Sequence, residues 1–191
     1  MGSNGIFVSP KGTPLTLTML TPGTFANWLS VSQYMTTALK SAGIGFSVQT
    51  LTVPAWRAAL RLGAFDVSLM NQTFLTPFGF YKFYLNSGDT QPVGKNAFED
   101  YGRFQSSTAT KAIAAFAAAP TGSQASVNAL NTLQGIEATQ LPVIPLFVNS
   151  QMATFNTSLF TGWPTANKPY AVPTPYANVE DVLLHLKPVA K

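Results

Sequence analysis

Apolar and polar residues alternate with a period of two in three stretches of the first 70 residues, at 15–20, 46–51 and 65–70. This alternation is typical of β-strands with one buried face. Between the stretches, apolar residues recur at helical spacing over about 26–42, and a second, shorter helix is predicted to start after Thr52. Two successive strand–helix–strand units predict a parallel sheet with right-handed crossovers, and we expect the strand at 15–20 to lie in its middle.

Individual residues predict where these helices begin and end and which face they bury. Gly43 stands just beyond the first helix and Gly63 just beyond the second, where a glycine commonly closes the last turn. Thr52 has the hydroxyl of a typical N-cap for the second helix. Trp28 and Trp56 fall on the apolar faces of the two helices, so both are interpreted as core residues.

After residue 70 the pattern changes. Residues 71–97 show no regular period but contain six aromatic residues, and we expect a short helix around 78–84 within them. Two longer helices follow, the first rich in alanine and the second with apolar residues on one face. The residues predicted to open them are Thr108 or Thr110 for the first, and Ser123 or Ser126 for the second.

The last third of the chain is predicted to return to the sheet and then leave regular structure. Residues 142–148 read as a strand, which Pro142 and Pro145 restrict to an edge or crossing position because proline has no backbone N–H. Residues 149–176 form a long segment rich in proline and aromatics, and long irregular segments of this kind are usually functional or interface segments. A short helix or strand is expected at 179–186.

Composition narrows the class of protein. The 191 residues are 46% hydrophobic and only 9% charged, which fits one folded domain, or one large domain with an appendage, and argues against disorder. The net charge of +4 comes from basic residues scattered singly, so no nucleic-acid partner is predicted. The absence of cysteine excludes a disulfide framework and a thiolate metal site. No apolar run is long enough for a membrane span, and no signal peptide is recognisable.

Residues suited to catalysis are scarce. The single histidine, His185, has apolar neighbours and is interpreted as a partly exposed structural residue. The acidic pairs Glu99-Asp100 and Glu180-Asp181 are interpreted as helix-start charges favoured by the helix dipole, because adjacent side chains diverge. No nucleophile elbow or phosphate-binding loop occurs. We therefore expect a protein that is not an enzyme, with no catalytic residue, no metal site and no cofactor.

The long segment near the C-terminus resembles a known family. Its phenylalanine, asparagine, tryptophan and proline positions are similar to the C-terminal signature of family 5 extracellular solute-binding proteins, the ligand-capturing components of ABC importers for peptides, nickel and oligosaccharides. The resemblance starts near Leu15 and covers nearly the whole chain. The residues that carry the signature are Phe155, Asn156, Thr157, Phe160, Thr161, Gly162, Trp163, Pro164, Thr165, Pro169 and Tyr170.

The resemblance implies an α/β fold, the class II lobe of a periplasmic binding protein, with a central mostly parallel sheet flanked by helices and an extended C-terminal tail. Residues 14–148 would form this lobe, and 149–191 would be a returning segment that packs on a second lobe. Residues 1–13 would be a cloning remnant and an inter-lobe lead, so that an export signal would lie outside this sequence. The implied location is extracytoplasmic: the protein would be periplasmic or a lipoprotein of the cell surface.

The predicted binding residues follow the third strand, because ligands of open α/β sheets sit beyond the carboxyl ends of parallel strands. They are Asn71, Gln72, Thr73 and Phe74. The resemblance adds Trp163, since a Gly-Trp-Pro-Thr cassette is frequent in oligosaccharide-binding branches, with anchoring of the returning segment as an equal alternative for this residue. The loop after the third strand lacks the aspartate that peptide-binding branches usually carry, which favours a sugar over a peptide. The same resemblance interprets Asp66 as a structural carboxylate that caps the neighbouring backbone.

The leading functional interpretation is thus a receptor that captures an oligosaccharide or oligopeptide by closure of two lobes and passes it to ABC permease subunits in the membrane. Two other classes remain open. One is a small α/β hydrolase that uses an aspartate and His185, and the other is an adhesive or structural surface domain that keeps the lobe fold. We also expect the C-terminal tail to pair with a second copy of the chain, because its aromatic residues need an apolar surface.

Overall fold

The computed structural model of the chain describes residues 1–2, 4–72, 74, 76–148, 153–172 and 179–189. The chain divides into two compact units, residues 1–144 and residues 145–191. We call them the sheet unit and the tail unit, and each is described by itself. Within the described residues, no helix has the length and apolar character required to cross a lipid bilayer.

A three-stranded parallel sheet forms the centre of the sheet unit, as the sequence predicts. β1 (Thr16–Pro22) lies in the middle, between β2 (Gly45–Leu51) and β3 (Val67–Ser68). β1 and β2 pair over their whole length, with Thr16 opposite Gly45 and Pro22 opposite Leu51. β3 pairs with β1 at two positions only, so it is much shorter than the predicted strand at 65–70.

The helices that connect these strands also follow the prediction. α1 (Ala26–Ser41) joins β1 to β2, and α2 (Val53–Leu62) joins β2 to β3. The Thr52 hydroxyl accepts a hydrogen bond from the backbone N–H of Ala55, which confirms the predicted N-cap. Gly63 ends α2 in the left-handed conformation, with φ of +67°.

The second half of the sheet unit is helical. α3 (Pro77–Leu85) is followed by a single 3-10 turn, and then by α4 (Ser107–Ala118) and α5 (Gln124–Gln140). The predicted start of α5 at Ser123 is confirmed, since its hydroxyl accepts from the N–H of Ser126. The predicted start of α4 is wrong by two residues or more. Ser106, which precedes both threonines, is the N-cap instead. Its backbone is extended, and its hydroxyl accepts a hydrogen bond from Ala109 N–H.

Two hydrophobic clusters form the core of the sheet unit. One packs Trp28 and Trp56 against Leu20 of β1, and both tryptophans are almost completely buried, as predicted. The other cluster lies between α3, α4 and α5. Its buried members are Leu85, Ala109, Ala112, Ile113, Leu133 and Ile136.

Two predictions about local structure are wrong. Residues 142–148 form no strand, because Pro142 and Pro145 cannot donate to a ladder and the segment finds no partner among the described residues. Glu99-Asp100 does not start a helix, since both residues lie in the irregular connection before α4 and Asp100 has a positive φ of 44°. Glu180-Asp181 does occupy the first turn of a helix, as predicted.

The tail unit contains little regular structure. β4 (Phe160–Thr161) pairs antiparallel with β5 (Lys187–Pro188), and α6 (Val179–His185) precedes β5. The predicted helix or strand at 179–186 is therefore a helix. Among the valine, leucine and isoleucine side chains in the described part of this unit, Val182 alone is buried, with 8% of its surface exposed. Leu184, by contrast, is 83% exposed.

Candidate ligand-binding edge

The carboxyl edge of the sheet positions the predicted binding residues. Leu20 of β1 pairs with Ser68 of β3, so the chain leaves both strands at the same edge. Asn71 and Gln72 follow three and four residues after Ser68, and both side chains are exposed. Thr73 lies outside the described residues. The amide groups of Asn71 and Gln72 can each donate and accept hydrogen bonds, which suits a neutral polar ligand.

Phe74, unlike Asn71 and Gln72, is not fully exposed to solvent. Its ring is half-buried and contacts three rings of α3, with centroids 5.9 Å from Phe80, 5.7 Å from Phe83 and 6.0 Å from Tyr84. These contacts anchor the end of the loop to α3. The role of Phe74 as a ligand contact stays a prediction, and its observed role is to hold the loop that carries Asn71.

An aromatic stack lies beneath this edge. The rings of Phe25 and Trp28 meet edge to face at 5.1 Å, and those of Trp28 and Trp56 at 5.6 Å. Phe25 and Trp28 stand at the start of α1, and Trp56 stands in the first turn of α2. Both helices begin where β1 and β2 end, so the stack supports the carboxyl edge of the sheet from one side.

The amino edge of the sheet is fixed by a carboxylate. Asp66 accepts a hydrogen bond from the backbone N–H of Thr18, at 3.0 Å across 48 residues of sequence. The interpretation of Asp66 as a structural group that caps neighbouring backbone is therefore confirmed. It supplies a bond that the short β3 cannot make with its own backbone.

Trp163 is held within the tail unit. Its indole stacks on the ring of Phe155, with centroids 4.6 Å apart and planes 15° from parallel. Its Nε1–H donates to the carbonyl of Phe160 at 3.1 Å, and the side chain is half-buried. Phe155 therefore takes one face of the indole, and the nitrogen has an internal partner. Trp163 belongs to the tail unit and Asn71 to the sheet unit, so their joint action on one ligand stays a prediction.

His185 has a structural environment. Its ring stacks on Tyr170 at 4.2 Å, and its Nδ1 lies 2.7 Å from the carbonyl oxygen of Asp181 within the same helix. The Tyr170 hydroxyl in turn donates to the carbonyl of Gly162 at 2.5 Å. This arrangement agrees with the interpretation of His185 as structural, although the side chain is exposed rather than partly exposed.

Sequence reasoning missed a polar cluster around Asp100. Its carboxylate is completely buried and accepts hydrogen bonds from the Thr90 hydroxyl and from Phe104 N–H, the latter at 2.9 Å. Burial raises the pKa of Asp100 to about 6, although these hydrogen bonds and the nearby Arg103 act in the opposite direction. The positive φ of Asp100 could not be predicted, since aspartate tolerates the left-handed region without a distinctive sequence pattern.

Arg103 binds three segments of backbone together. Its guanidinium donates to the carbonyl oxygens of Tyr101 at 2.7 Å, Arg61 at 2.8 Å and Lys95 at 3.3 Å. A Cβ at Gly63 would overlap this guanidinium, so glycine serves both the end of α2 and the passage of Arg103. A shallow surface cleft adjoins Arg103, but its lining includes neither Asn71 nor Gln72. It is lined by Ser87, Thr90, Gln91, Pro92, Val93, Arg103 and Gln105.

No protein-family model and no curated protein sequence matches this chain. Solved structures do. A mannohexaose-bound periplasmic oligopeptide-binding protein of an ABC transporter from Thermotoga maritima superposes with a TM-score of 0.84 at 20% identity. The match covers 100% of this chain and 36% of that chain. The fold is that of a periplasmic solute-binding protein.

Other binding proteins share this fold more partially. The oligopeptide-binding protein AppA of Bacillus subtilis, solved with a nonapeptide, matches with a TM-score of 0.60 at 18% identity, over 74% of this chain and 27% of that one. The stachyose-bound MelB from Agrobacterium fabrum matches with a TM-score of 0.60 at 16% identity, over 73% and 22%. These neighbours are binding proteins rather than enzymes. This chain spans about a third or less of their length, so it corresponds to a part of the solute-binding fold.

Within the described residues, no group of three or more histidine or acidic side chains is placed to hold a metal ion. Glu137 is, besides Asp100, a second buried carboxylate that the candidate edge does not explain. Both of its oxygens are buried in the last turn of α5 without a hydrogen-bond partner, and burial raises its pKa. It lies among the residues of the helical cluster rather than at the carboxyl edge of the sheet.

Proposed function

We propose that this chain supplies one lobe of a receptor that captures an oligosaccharide or oligopeptide and delivers it to an ABC permease. The observation that carries the proposal is the match of the whole chain to a solute-binding protein that holds mannohexaose. Such a receptor works by hinge closure of two lobes around the solute, and the closed form is the one that the membrane partner recognises. The location would be extracytoplasmic, as for the periplasmic neighbours.

The chemistry of the carboxyl edge supports a neutral solute. Asn71 and Gln72 offer uncharged amides, and no acidic residue occurs from Asn71 to the end of α3 at Leu85. An oligopeptide has a charged ammonium group that would find no counter-charge in this loop. An oligosaccharide carries hydroxyl groups, which amides bind in either hydrogen-bonding sense. We therefore place an oligosaccharide before an oligopeptide.

Trp163 supports the same order of preference. An indole offers a broad apolar face to the ring of a sugar, and the Phe155 stack holds that indole in a fixed orientation. In this proposal, the tryptophan provides apolar contact to a sugar ring. The anchoring of the tail unit is the competing role, and it needs only the contacts that the indole makes inside that unit.

The decisive experiment titrates mannohexaose, stachyose and a nonapeptide into the two-lobe receptor that contains this chain and into its Asn71→Ala variant, with calorimetry and thermal shift as readouts. A ligand that binds only the native state raises its melting temperature. We expect mannohexaose or stachyose to bind, and Asn71→Ala to lose about 1–3 kcal/mol of binding free energy while its unfolding stays unchanged. Because Gln124 is a polar residue on a helix of the other cluster, Gln124→Ala is the matched control.

The proposal fails for these solutes if all three leave the melting temperature and the heat of mixing unchanged at millimolar concentration. Turnover of a generic ester that disappears in His185→Ala would favour the hydrolase instead. The tail unit adds an expectation about assembly. Its exposed apolar side chains should bring two copies together, and light scattering at increasing concentration reports whether the chain remains a monomer.

A further inference from the structure

β3 is the strand that leads into the candidate binding loop, and it is attached to the sheet by very little backbone. Only Val67 and Ser68 pair with β1, whereas β2 pairs with β1 at seven positions. A strand of two residues is too short to fix its own tilt through ladder hydrogen bonds alone. The direction in which Asn71 and Gln72 leave the sheet must therefore depend on other bonds to β3.

A half-buried relay of side-chain hydrogen bonds supplies such bonds at the carboxyl end of β3. The indole Nε1–H of Trp56 donates to the Ser68 hydroxyl at 3.0 Å, and that hydroxyl lies 3.1 Å from the carbonyl oxygen of Leu20 in β1. The backbone N–H of Leu69 donates to the same carbonyl at 3.3 Å. Two donors from β3 thus converge on one acceptor of the central strand, and α2 is tied to both through Trp56.

The hydroxyl of Ser68 joins the two sides of the relay. It accepts from Trp56, and its one proton has two acceptors within reach, the carbonyl oxygens of Leu20 at 3.1 Å and Leu69 at 3.2 Å. The ring of Trp56 also packs edge to face on Trp28. The bonds from Trp56 Nε1–H and from Leu69 N–H hold the carboxyl end of β3 to α2 and to the central strand.

We propose that Trp56 and Ser68 are positioning residues that set the orientation of the binding loop at Asn71 and Gln72. The proposal rests on the proposed function for its consequence, since the loop is the candidate binding edge. The relay itself touches no solute. Asp66 fixes the opposite end of β3 through Thr18 and therefore bears on the stability of the strand rather than on the loop.

The test compares Trp56→Phe and Ser68→Ala with two controls, Trp28→Phe and Asp66→Asn. Trp56→Phe keeps an aromatic ring and removes the N–H donor, and Trp28→Phe makes the same change in the other buried tryptophan of the stack. Amide hydrogen exchange by NMR reports on Leu69, Met70, Asn71 and Gln72 independently of any ligand. We expect exchange at Leu69, whose N–H bonds to Leu20, to accelerate about tenfold or more in the two relay variants, and global exchange to change far less.

Both controls should lower the melting temperature without selective acceleration at residues 69–72. Ser68→Thr keeps the hydroxyl and should restore slow exchange. The second readout is the affinity of the two-lobe receptor for mannohexaose, which the relay variants should weaken about tenfold while Trp28→Phe and Asp66→Asn should not.

The two readouts separate the positioning role from the proposed function. Exchange at residues 69–72 that accelerates in Trp28→Phe as much as in Trp56→Phe overturns the proposal, because the relay would then be ordinary core packing. Faster amide exchange limited to this segment, in a receptor that binds no mannohexaose, supports the positioning role of Trp56 and Ser68 and counts against an oligosaccharide as the solute. Faster amide exchange limited to this segment, together with an unchanged affinity for mannohexaose, overturns the proposal that this loop binds the solute.

Discussion

The sheet unit and the tail unit keep their shape by different means. The sheet unit buries two apolar clusters, and its irregular segments are tied by groups such as Arg103 and Asp100. The tail unit buries Val182 and Pro164 and otherwise relies on stacked rings, a two-residue ladder and a close backbone approach at Gly162. Hydrophobic burial tolerates local change because the surrounding side chains can adjust, whereas a close backbone approach has no such freedom.

The difference predicts where the molecule is vulnerable. A change that reaches backbone in the tail unit should cost more than the same change against a side chain in the sheet unit. It also predicts that buried polar groups of the sheet unit can be replaced with gain, since the apolar clusters carry the fold.

Gly162→Ala should disrupt the tail unit. Gly162 has φ of +93°, where an L-residue is strained, and an added Cβ would overlap the carbonyl oxygen of His185. Backbone cannot rotate away as a side chain does. We expect the exposed Tyr170–His185 stack to be lost and cleavage by a nonspecific protease to appear in the tail unit, while the sheet unit keeps its circular dichroism signal.

Gly63→Ala is the matched variant in the sheet unit. It also has a positive φ, of +67°, but its added Cβ would meet the guanidinium of Arg103, the far end of a flexible side chain. We expect a loss of about 1–3 kcal/mol in the free energy of unfolding, without separate cleavage of one unit. Equal damage by both variants, or protease resistance of the tail unit in Gly162→Ala, would remove the contrast between the two units.

Asp100→Asn examines the polar cluster of the sheet unit. The pKa of Asp100 is about 6 in the folded chain, above its ordinary value of 3.8, because the carboxylate is buried. The folded chain therefore holds this proton more tightly than the unfolded chain. The contribution to stability is complete below about pH 4 and is lost as pH rises through about 6, at a cost of up to about 3 kcal/mol.

The amide that Asp100→Asn introduces stays neutral across this range and can replace both hydrogen bonds, since the Thr90 hydroxyl can accept as well as donate. Asparagine also tolerates the positive φ at this position. Chemical denaturation at pH 4 and pH 7 should give equal stability at pH 4 and a more stable variant at pH 7. The pKa of Glu137 is also raised, so a smaller slope should remain in the variant. A variant with the same pH dependence as the unmodified chain would contradict this account.

The order of the sheet, its parallel sense and the bounds of α1 and α2 could be predicted because each rests on periodicity and on local caps such as Thr52 and Gly63. The helix cap at Ser106 was missed because several nearby hydroxyls satisfy the same local rule. The prediction of a strand at 142–148 was wrong because alternating apolar residues indicate which face of a strand would be buried but not which neighbouring strand would pair with it.

The candidate binding edge was likewise predictable from the sequence only in part. Asn71 and Gln72 could be placed because the rule for open α/β sheets depends only on topology. The relay through Trp56 and Ser68 could not, since it joins residues 12 positions apart through side chains whose meeting depends on the packing of α2. The Asp100 cluster likewise depends on a loop conformation that no periodic pattern encodes. What sequence patterns miss here are mainly side-chain bonds across irregular segments.

Thr21→Val examines the smallest buried polar group at the carboxyl end of β1. Thr21 is completely buried, and its hydroxyl has no hydrogen-bond partner in the structure. Valine has nearly the same shape, so the variant removes the unsatisfied hydroxyl without opening a cavity. We expect the free energy of unfolding to rise by about 1 kcal/mol, since a buried donor without a partner costs about that amount. Denaturant melts of Thr21→Val and Thr21→Ser measure the hydroxyl and methyl contributions separately. If an internal water satisfies the hydroxyl, Thr21→Val becomes less stable than the unmodified chain, and the sheet unit then depends on buried polar groups more than its apolar clusters suggest.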